Sequence, residues 1–184
     1  MIDFKKIADE AMKHNTFTED NRFPPSRYYS FLYLLAKEMD PNFSVISGVC
    51  GGGDSFHLSK GSENGQVIGI DIADDHKDNI KFIKDNCPNF IFKVGDVLDV
   101  VKTIRSSTID ILFLDSLHTY DHTKKEFNAF LPMLRPGSVV CFDDLFRPGM
   151  EDFWNELDYP NKVRLDFLHQ SGQGDGGFSA LEIS

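Results

Sequence analysis

Phe43-Ser44-Val45-Ile46-Ser47-Gly48-Val49-Cys50-Gly51-Gly52-Gly53-Asp54-Ser55 is the stretch on which the reading of this chain turns. An apolar run, residues 43–49, passes into three consecutive glycines and then into a helical stretch over 55–60. A run with little polar alternation is what a strand buried on both faces requires, and that is the condition of a parallel sheet. Glycines accept positive φ and leave room for a ligand to approach the backbone. The helix that follows offers unpaired N–H groups at its start. A tight strand–helix turn with no ligand has the same composition, so the glycines need support from elsewhere in the chain.

Moving outward, apolar runs at 66–72, 90–94, 109–115 and 138–142 alternate with helical stretches at 75–86, 97–104 and 119–134. Repeated strand–helix–strand units predict a doubly wound α/β fold with helices on both faces of a mostly parallel sheet. After Asp144 a helix over 150–157 leads to runs at 163–168 and 178–183. These flank the glycine-rich stretch 172–177 and read as an antiparallel hairpin, which brings the sheet to seven strands. Upstream, residues 2–14 form an amphipathic pattern with Phe4, Ile7, Ala8 and Ala11 on one face. A polar stretch over 15–22 and Phe23-Pro24-Pro25 follow. Ser26 is placed to cap a helix running to Met39, which Asp40-Pro41 ends. The chain thus divides into a helical extension, 1–42, and a ligand-binding domain, 43–184. The tyrosine-rich second helix reads as a packing or homodimer element first and as a lid over a substrate second.

The 184 residues are 41% hydrophobic and 26% charged, an ordinary globular mixture. No apolar run approaches the roughly 20 residues of a membrane span, and the first residues lack the apolar core of a secretory signal. Nineteen basic against 29 acidic residues, a net charge of -10, repel nucleic-acid backbones and anionic lipid. Three cysteines, Cys50, Cys87 and Cys141, lie far apart and read as reduced, buried thiols of a cytoplasmic protein.

In a doubly wound sheet the ligand lies outside the carboxyl ends of the strands. Asp71 ends the second run, where a carboxylate accepts hydrogen bonds from both hydroxyls of a ribose; Asp74 or Asp75 suits the capping role better. Asp96, after the third run, is equally suited to an adenine amine and to capping the helix over 97–104. The glycines fall as Gly-x-x-Gly-Gly-Gly, not Gly-x-Gly-x-x-Gly, and leave no seat for a pyrophosphate. A nucleoside without phosphate needs none. The fourth and fifth runs end in Asp115 and in Asp143-Asp144. Three carboxylates converging there repel one another unless a cation intervenes. All-oxygen donors select a hard divalent ion, Mg²⁺ ahead of Ca²⁺ or Mn²⁺; the alternative is a set of capping, solvated acids. His118, three positions past Asp115, is placed to take a proton from a metal-bound hydroxyl. His118 and His122 also have the spacing of a zinc pair. No cysteine or third histidine lies nearby in the sequence, so His122 reads as a solvated residue of the first helical turn.

From about Phe43 onward the chain resembles the class I S-adenosylmethionine-dependent methyltransferases, a Rossmann-like methyltransferase fold. More narrowly it is similar to the metal-dependent small-molecule O-methyltransferases of the catechol and macrolide-sugar types. The segment Ile111-Leu112-Phe113-Leu114-Asp115-Ser116-Leu117-His118-Thr119-Tyr120-Asp121 carries the resemblance, with Phe130-Leu131-Pro132-Met133-Leu134-Arg135-Pro136-Gly137-Ser138-Val139-Val140 leading into the fifth strand. The resemblance implies that Gly48, Gly51 and Gly52 lie against the methionine part of S-adenosylmethionine. It places Asp71 on the ribose, Asp96 on the adenine, and Asp115, Asp143 and Asp144 on the metal. It further implies a small hydroxylated acceptor, such as a vicinal diol, and His118 at a position where catechol-type members carry a lysine base. The chain departs from the pattern at Ile46, where the family carries an acid two residues before the first motif glycine, which weakens a contact to the cofactor's amino group. Two other classes compete with an enzyme of this kind. One is a non-catalytic protein that binds a nucleoside cofactor. The other is an NAD-dependent oxidoreductase, which the glycine spacing opposes. A nucleic-acid methyltransferase is opposed by the acidic charge and by the lack of an Asp-Pro-Pro-Tyr-like tetrad after the fourth run.

Overall fold

The computed structural model describes residues 1–14, 22–104, 108–169 and 176–184. Its strands are β1 (Phe43–Ser47), β2 (Gln66–Asp71), β3 (Phe90–Val94), β4 (Ile109–Leu114), β5 (Leu134–Phe142), β6 (Asn161–Arg164) and β7 (Ser179–Glu182). They form one seven-stranded sheet in the order β3-β2-β1-β4-β5-β7-β6. The first five strands run parallel, and β7 lies antiparallel to both β5 and β6. The doubly wound sheet with a terminal hairpin is therefore present. Its switch point lies between β1 and β4, where the strand order reverses.

Around it pack α1 (Phe4–Ala11), α2 (Arg27–Met39), α3 (Gly53–Gly61), α4 (Lys77–Asn86), α5 (Val97–Val100), α6 (Tyr120–Phe130) and α7 (Met150–Glu156). β1 and β4 are buried at every position, and their side chains alternate between two cores. Ile46, Ile111 and Phe113 face one core, with Phe4 and Ile7 of α1, Phe31, Leu32 and Leu35 of α2, Phe56 of α3 and Ile83 of α4. Val45, Leu112 and Leu114 face the other, with Phe127 and Phe130 of α6 and Phe153 and Trp154 of α7. Each fully buried side chain of this size contributes about 1.5–3 kcal/mol. The helices of 1–42 thus share the core of the sheet.

Several boundaries differ from the sequence expectation. The helix expected over 119–134 stops at Phe130; Pro132 cannot continue it, and a 3-10 turn (Leu131–Met133) delivers the chain to β5 at Leu134. The run expected as a strand over 163–168 splits. β6 ends at Arg164, and a 3-10 turn (Asp166–Leu168) then buries Leu168 while Asp166 pairs with Arg164. Ser26 precedes α2 without making a capping hydrogen bond. Of the three cysteines, Cys87 and Cys141 are buried, and burial pushes the Cys87 thiol up to about 11. Cys50 is exposed, contrary to expectation, because the turn after β1 lifts it out of the strand at φ 42°. The polar stretch at 15–21 and the glycine-rich positions 172–175 lie outside the described residues. Among the described residues no helix is long and apolar enough to cross a membrane.

Candidate active site

The carboxyl end of the sheet is shaped first by Gly48. It sits at φ 87°, and a Cβ on it would lie 2.0 Å from the Asp115 carbonyl oxygen, so β4 closes against β1 only over a bare Cα. Gly52, at φ 84°, starts α3 in the left-handed conformation. Gly51 is open, with nothing within 4 Å of a Cβ. Asp71 holds this turn in place: one carboxylate oxygen accepts the Val49 amide at 2.9 Å and the Cys50 amide at 2.8 Å. Asp96 caps α5 by accepting the Leu98 amide at 2.8 Å. Both acids nevertheless border a cleft of about 480 Å³ that is also walled by Gly48, Cys50, Asp115 and the apolar side chains of Ile72 and Leu117. Ile72 and Leu117 remain 70% and 59% exposed, an unusual state for such residues beside a cleft. The cleft thus joins apolar walls to hydrogen-bonding acids, the combination small-molecule sites show.

Beside it lies a carboxylate cluster. Asp115 follows β4 and donates its amide to the Ser47 carbonyl; Asp143 follows β5 and donates its amide to Leu114. The ladders thereby carry both side chains to one place. Asp144, held at φ 53° in the left-handed region that aspartate tolerates, adds a third. The His118 ring bridges two of them, with Nε2 3.1 Å from Asp115 and Nδ1 3.4 Å from Asp144. His169 Nε2 stands 2.6 Å from Asp143. Burial first, then the fields of Asp143, Asp54 and Asp144, raise the Asp115 carboxyl well above the usual range. Burial opposes charge on His169, but its hydrogen bond to Asp143 and the neighbouring carboxylates outweigh this and raise its pKa. A second, smaller recess of about 280 Å³ is lined by Ser26, Tyr28, Tyr29, Asp143, Asp144 and His169.

Residues 45–145 match the protein family described as "Methyltransferase domain". The chain belongs to this methyltransferase family. A curated relative, the uncharacterized protein y4gI of Sinorhizobium fredii (strain NBRC 101917 / NGR234), is 32% identical over 80 residues. That match takes in 41% of this chain and 9% of y4gI, so the chain spans only a small part of its curated relative. Among solved structures, an O-methyltransferase from Bacillus cereus in complex with SAH superposes with a TM-score of 0.71 at 18% identity, over 97% of this chain and 91% of that one. TomG, the O-methyltransferase of Streptomyces achromogenes involved in tomaymycin synthesis and solved with SAM, gives 0.70 at 19% identity, over 100% and 91%. At these identities the likeness is one of fold.

Several side chains around the candidate site escape a reading of the sequence. His122, expected to be solvated, is tucked against the buried Glu126 at 3.3 Å. Glu126 also accepts the Ser47 hydroxyl at 2.6 Å and the Ser116 hydroxyl at 2.7 Å, which ties α6 to the ends of β1 and β4 beside Asp115. Tyr28 stacks on His169, ring centroids 5.1 Å apart. The first turn of α2 therefore lines the recess, while Phe31, Leu32 and Leu35 further along the same helix pack the core. Asp54, in the first turn of α3, is buried, and burial lifts its carboxyl to about 7. The only available signal for Glu126 was its position four residues after His122.

Proposed function

We propose that this methyltransferase transfers the methyl group of S-adenosylmethionine to a hydroxyl of a small acceptor bearing a vicinal diol, of the sugar or catechol kind, assisted by a divalent cation. The observation that carries this reading is the meeting of Asp115, from the end of β4, with Asp143 and Asp144, from the end of β5, beside a cleft walled by the glycine turn. The O-methyltransferases that share the fold, among them those solved with SAH and SAM, support the donor and the oxygen acceptor.

The cleft that Asp71 and Asp96 border suits an adenosine. The ribose would meet the Asp71 oxygen that accepts the Ala73 amide at 3.3 Å, the base would lie along Ile72 and Leu117, and the glycine turn would leave room for the amino-acid portion. Asp115, Asp143 and Asp144 would hold the cation. An all-oxygen, largely buried and net-negative donor set fits a hard ion such as Mg²⁺. The carboxylates are at present engaged with His118, His169 and, through Asp144, Arg147; among the described residues no three His, Cys, Asp or Glu side chains are grouped as metal ligands. Such an ion, when bound, lowers the pKa of a coordinated hydroxyl. The His118 ring spans Asp115 and Asp144 through its two nitrogens; a cation held by these carboxylates would free one of those nitrogens, which would then take the proton of the acceptor hydroxyl. Tyr28 and Tyr29 close the acceptor side and exclude water. The 1–42 segment thus serves as a packing element whose α2 also walls the site.

The test is transfer from S-adenosylmethionine to a panel of catechols and sugar diols, with Mg²⁺ and with excess chelator, for the native chain and for Asp143→Asn. Chelation and the substitution are each expected to abolish transfer while the fold persists. Unchanged transfer in chelator rejects the metal, and failure to bind S-adenosylhomocysteine in calorimetry rejects the donor.

A further inference from the structure

Ile46, where the family resemblance implies an acid, is wholly buried in the core and is not among the residues that wall the cleft. A carboxylate nevertheless lies across the glycine turn from it. Asp54 is the second residue of α3, only 3% exposed, and its carboxylate accepts the Ser55 amide at 2.5 Å. No ion pair to Asp54 is found among the described residues. The charges that act on it are those of Asp143 and Asp71, and it acts in turn on Asp115. Tyr29 packs on the start of the same helix, where a Cβ on Gly53 would lie 2.5 Å from its ring, and its hydroxyl feels the Asp54 charge. A buried carboxylate set among like charges, without a cationic partner, is costly in the free protein. It lies where the glycine turn meets the Asp115 cluster.

We infer that Asp54 is the acid that receives the α-ammonium group of the donor, in place of the carboxylate missing at position 46. This rests on S-adenosylmethionine being the donor. The α-ammonium is that molecule's one cationic group with N–H donors; the sulfonium has none. A ligand laid along the glycine turn brings its amino-acid end to the start of α3. The helix N-terminus suits the ligand's carboxylate, and Asp54 suits its ammonium.

Calorimetric titration of the native chain and of Asp54→Asn tests this with three probes. They are S-adenosylhomocysteine, its deaminated analogue that keeps the carboxylate, and 5′-methylthioadenosine, which lacks the amino-acid end. Asp54→Asn is expected to weaken S-adenosylhomocysteine by about ten- to a hundredfold, the range of a lost charge-assisted hydrogen bond, to leave 5′-methylthioadenosine unchanged, and to leave the deaminated analogue, relieved of a neighbouring negative charge, unchanged or tighter. Retained binding of 5′-methylthioadenosine also shows that the variant is folded. Undiminished affinity for S-adenosylhomocysteine, or equal weakening of all three probes, overturns the assignment. A native chain that binds none of the three overturns the donor reading beneath it, a result distinct from either.

Discussion

Replacing Gly48 by alanine separates two meanings of the glycine turn. In sequence, Gly48, Gly51 and Gly52 look alike, as positions that let a ligand approach the backbone. In the structure they differ. A Cβ at 48 would stand 2.0 Å from the Asp115 carbonyl oxygen and 2.8 Å from the Ser116 Cα, both backbone atoms that cannot turn aside. The φ of 87° adds about 1–2 kcal/mol for a side chain of the L configuration. Relieving the overlap means parting the ends of β1 and β4, and the whole cost is about 3–5 kcal/mol, among the largest a single substitution produces. At 52 the φ penalty is the same, but the obstacle is the tip of the Ile83 side chain at 2.6 Å, which can move; about 1–2 kcal/mol is expected. At 51 nothing lies within 4 Å, and alanine is neutral or stabilises by up to about 1 kcal/mol through the unfolded chain. Urea unfolding followed by the fluorescence of Trp154, the one tryptophan and a buried one, reads these differences. In a chain of this length, Gly48→Ala corresponds to a melting point about 10 °C lower. If Gly48→Ala and Gly51→Ala unfold within about 1 kcal/mol of each other, the claim that β4 seats against a bare Cα is wrong.

Glu126→Gln keeps the shape of the side chain but removes the charged acceptor shared by Ser47, Ser116 and His122; a loss of about 1–3 kcal/mol is expected by thermal unfolding, and an unchanged melting point would show that the network is idle. Of the three thiols, Cys50 alone is expected to react with an aromatic disulfide reagent in the folded protein, and S-adenosylhomocysteine should slow the reaction because Cys50 borders the cleft; mass spectrometry of the labelled peptides decides. Stability should fall as pH rises through neutrality. Asp54 has a folded pKa of about 7 against about 3.9 in the unfolded chain, so the folded state holds its proton more tightly and loses that advantage across this window. His169, whose folded pKa is raised, contributes fully below about 6.5 and progressively less above it, in the same direction. Asp54→Asn is expected to flatten the profile between about pH 4 and 7, and a slope as steep as that of the native chain contradicts this.

The sheet was legible because burial on both faces leaves a plain mark. Val45, Leu112 and Val140 supply one core and Ile46, Phe113 and Cys141 the other, so no polar alternation interrupts the central runs. Boundaries were less legible where two local rules competed. Leu131–Leu134 continue an apolar helical pattern, and only the proline at 132 makes that stretch a turn into β5. The exposed state of Cys50 was hidden because its neighbours are those of a strand, while its own backbone has already left the ladder.

In the site, legibility follows the distance over which each residue's partner is chosen. Asp71, Asp96, Asp115, Asp143 and Asp144 stand at or within two residues of strand ends, and parallel order alone brings strand ends to one edge; their neighbourhood could be read without coordinates. His169, Tyr28 and Glu126 are placed by packing between elements far apart in the chain. His169 reaches Asp143 from 26 residues downstream, and Ser47 reaches Glu126 from 79 residues upstream. No periodicity carries such pairings, because they depend on which layer each helix covers and how it is rotated about its axis. Asp54 lies between these cases. Its position after the glycines is plain in the sequence, but that α3 turns its carboxylate inward, toward the other acids and beneath Tyr29, depends on α2 crossing that turn. The residues of the candidate site that stand at the strand ends thus belong to the topology, and those that surround them belong to the packing.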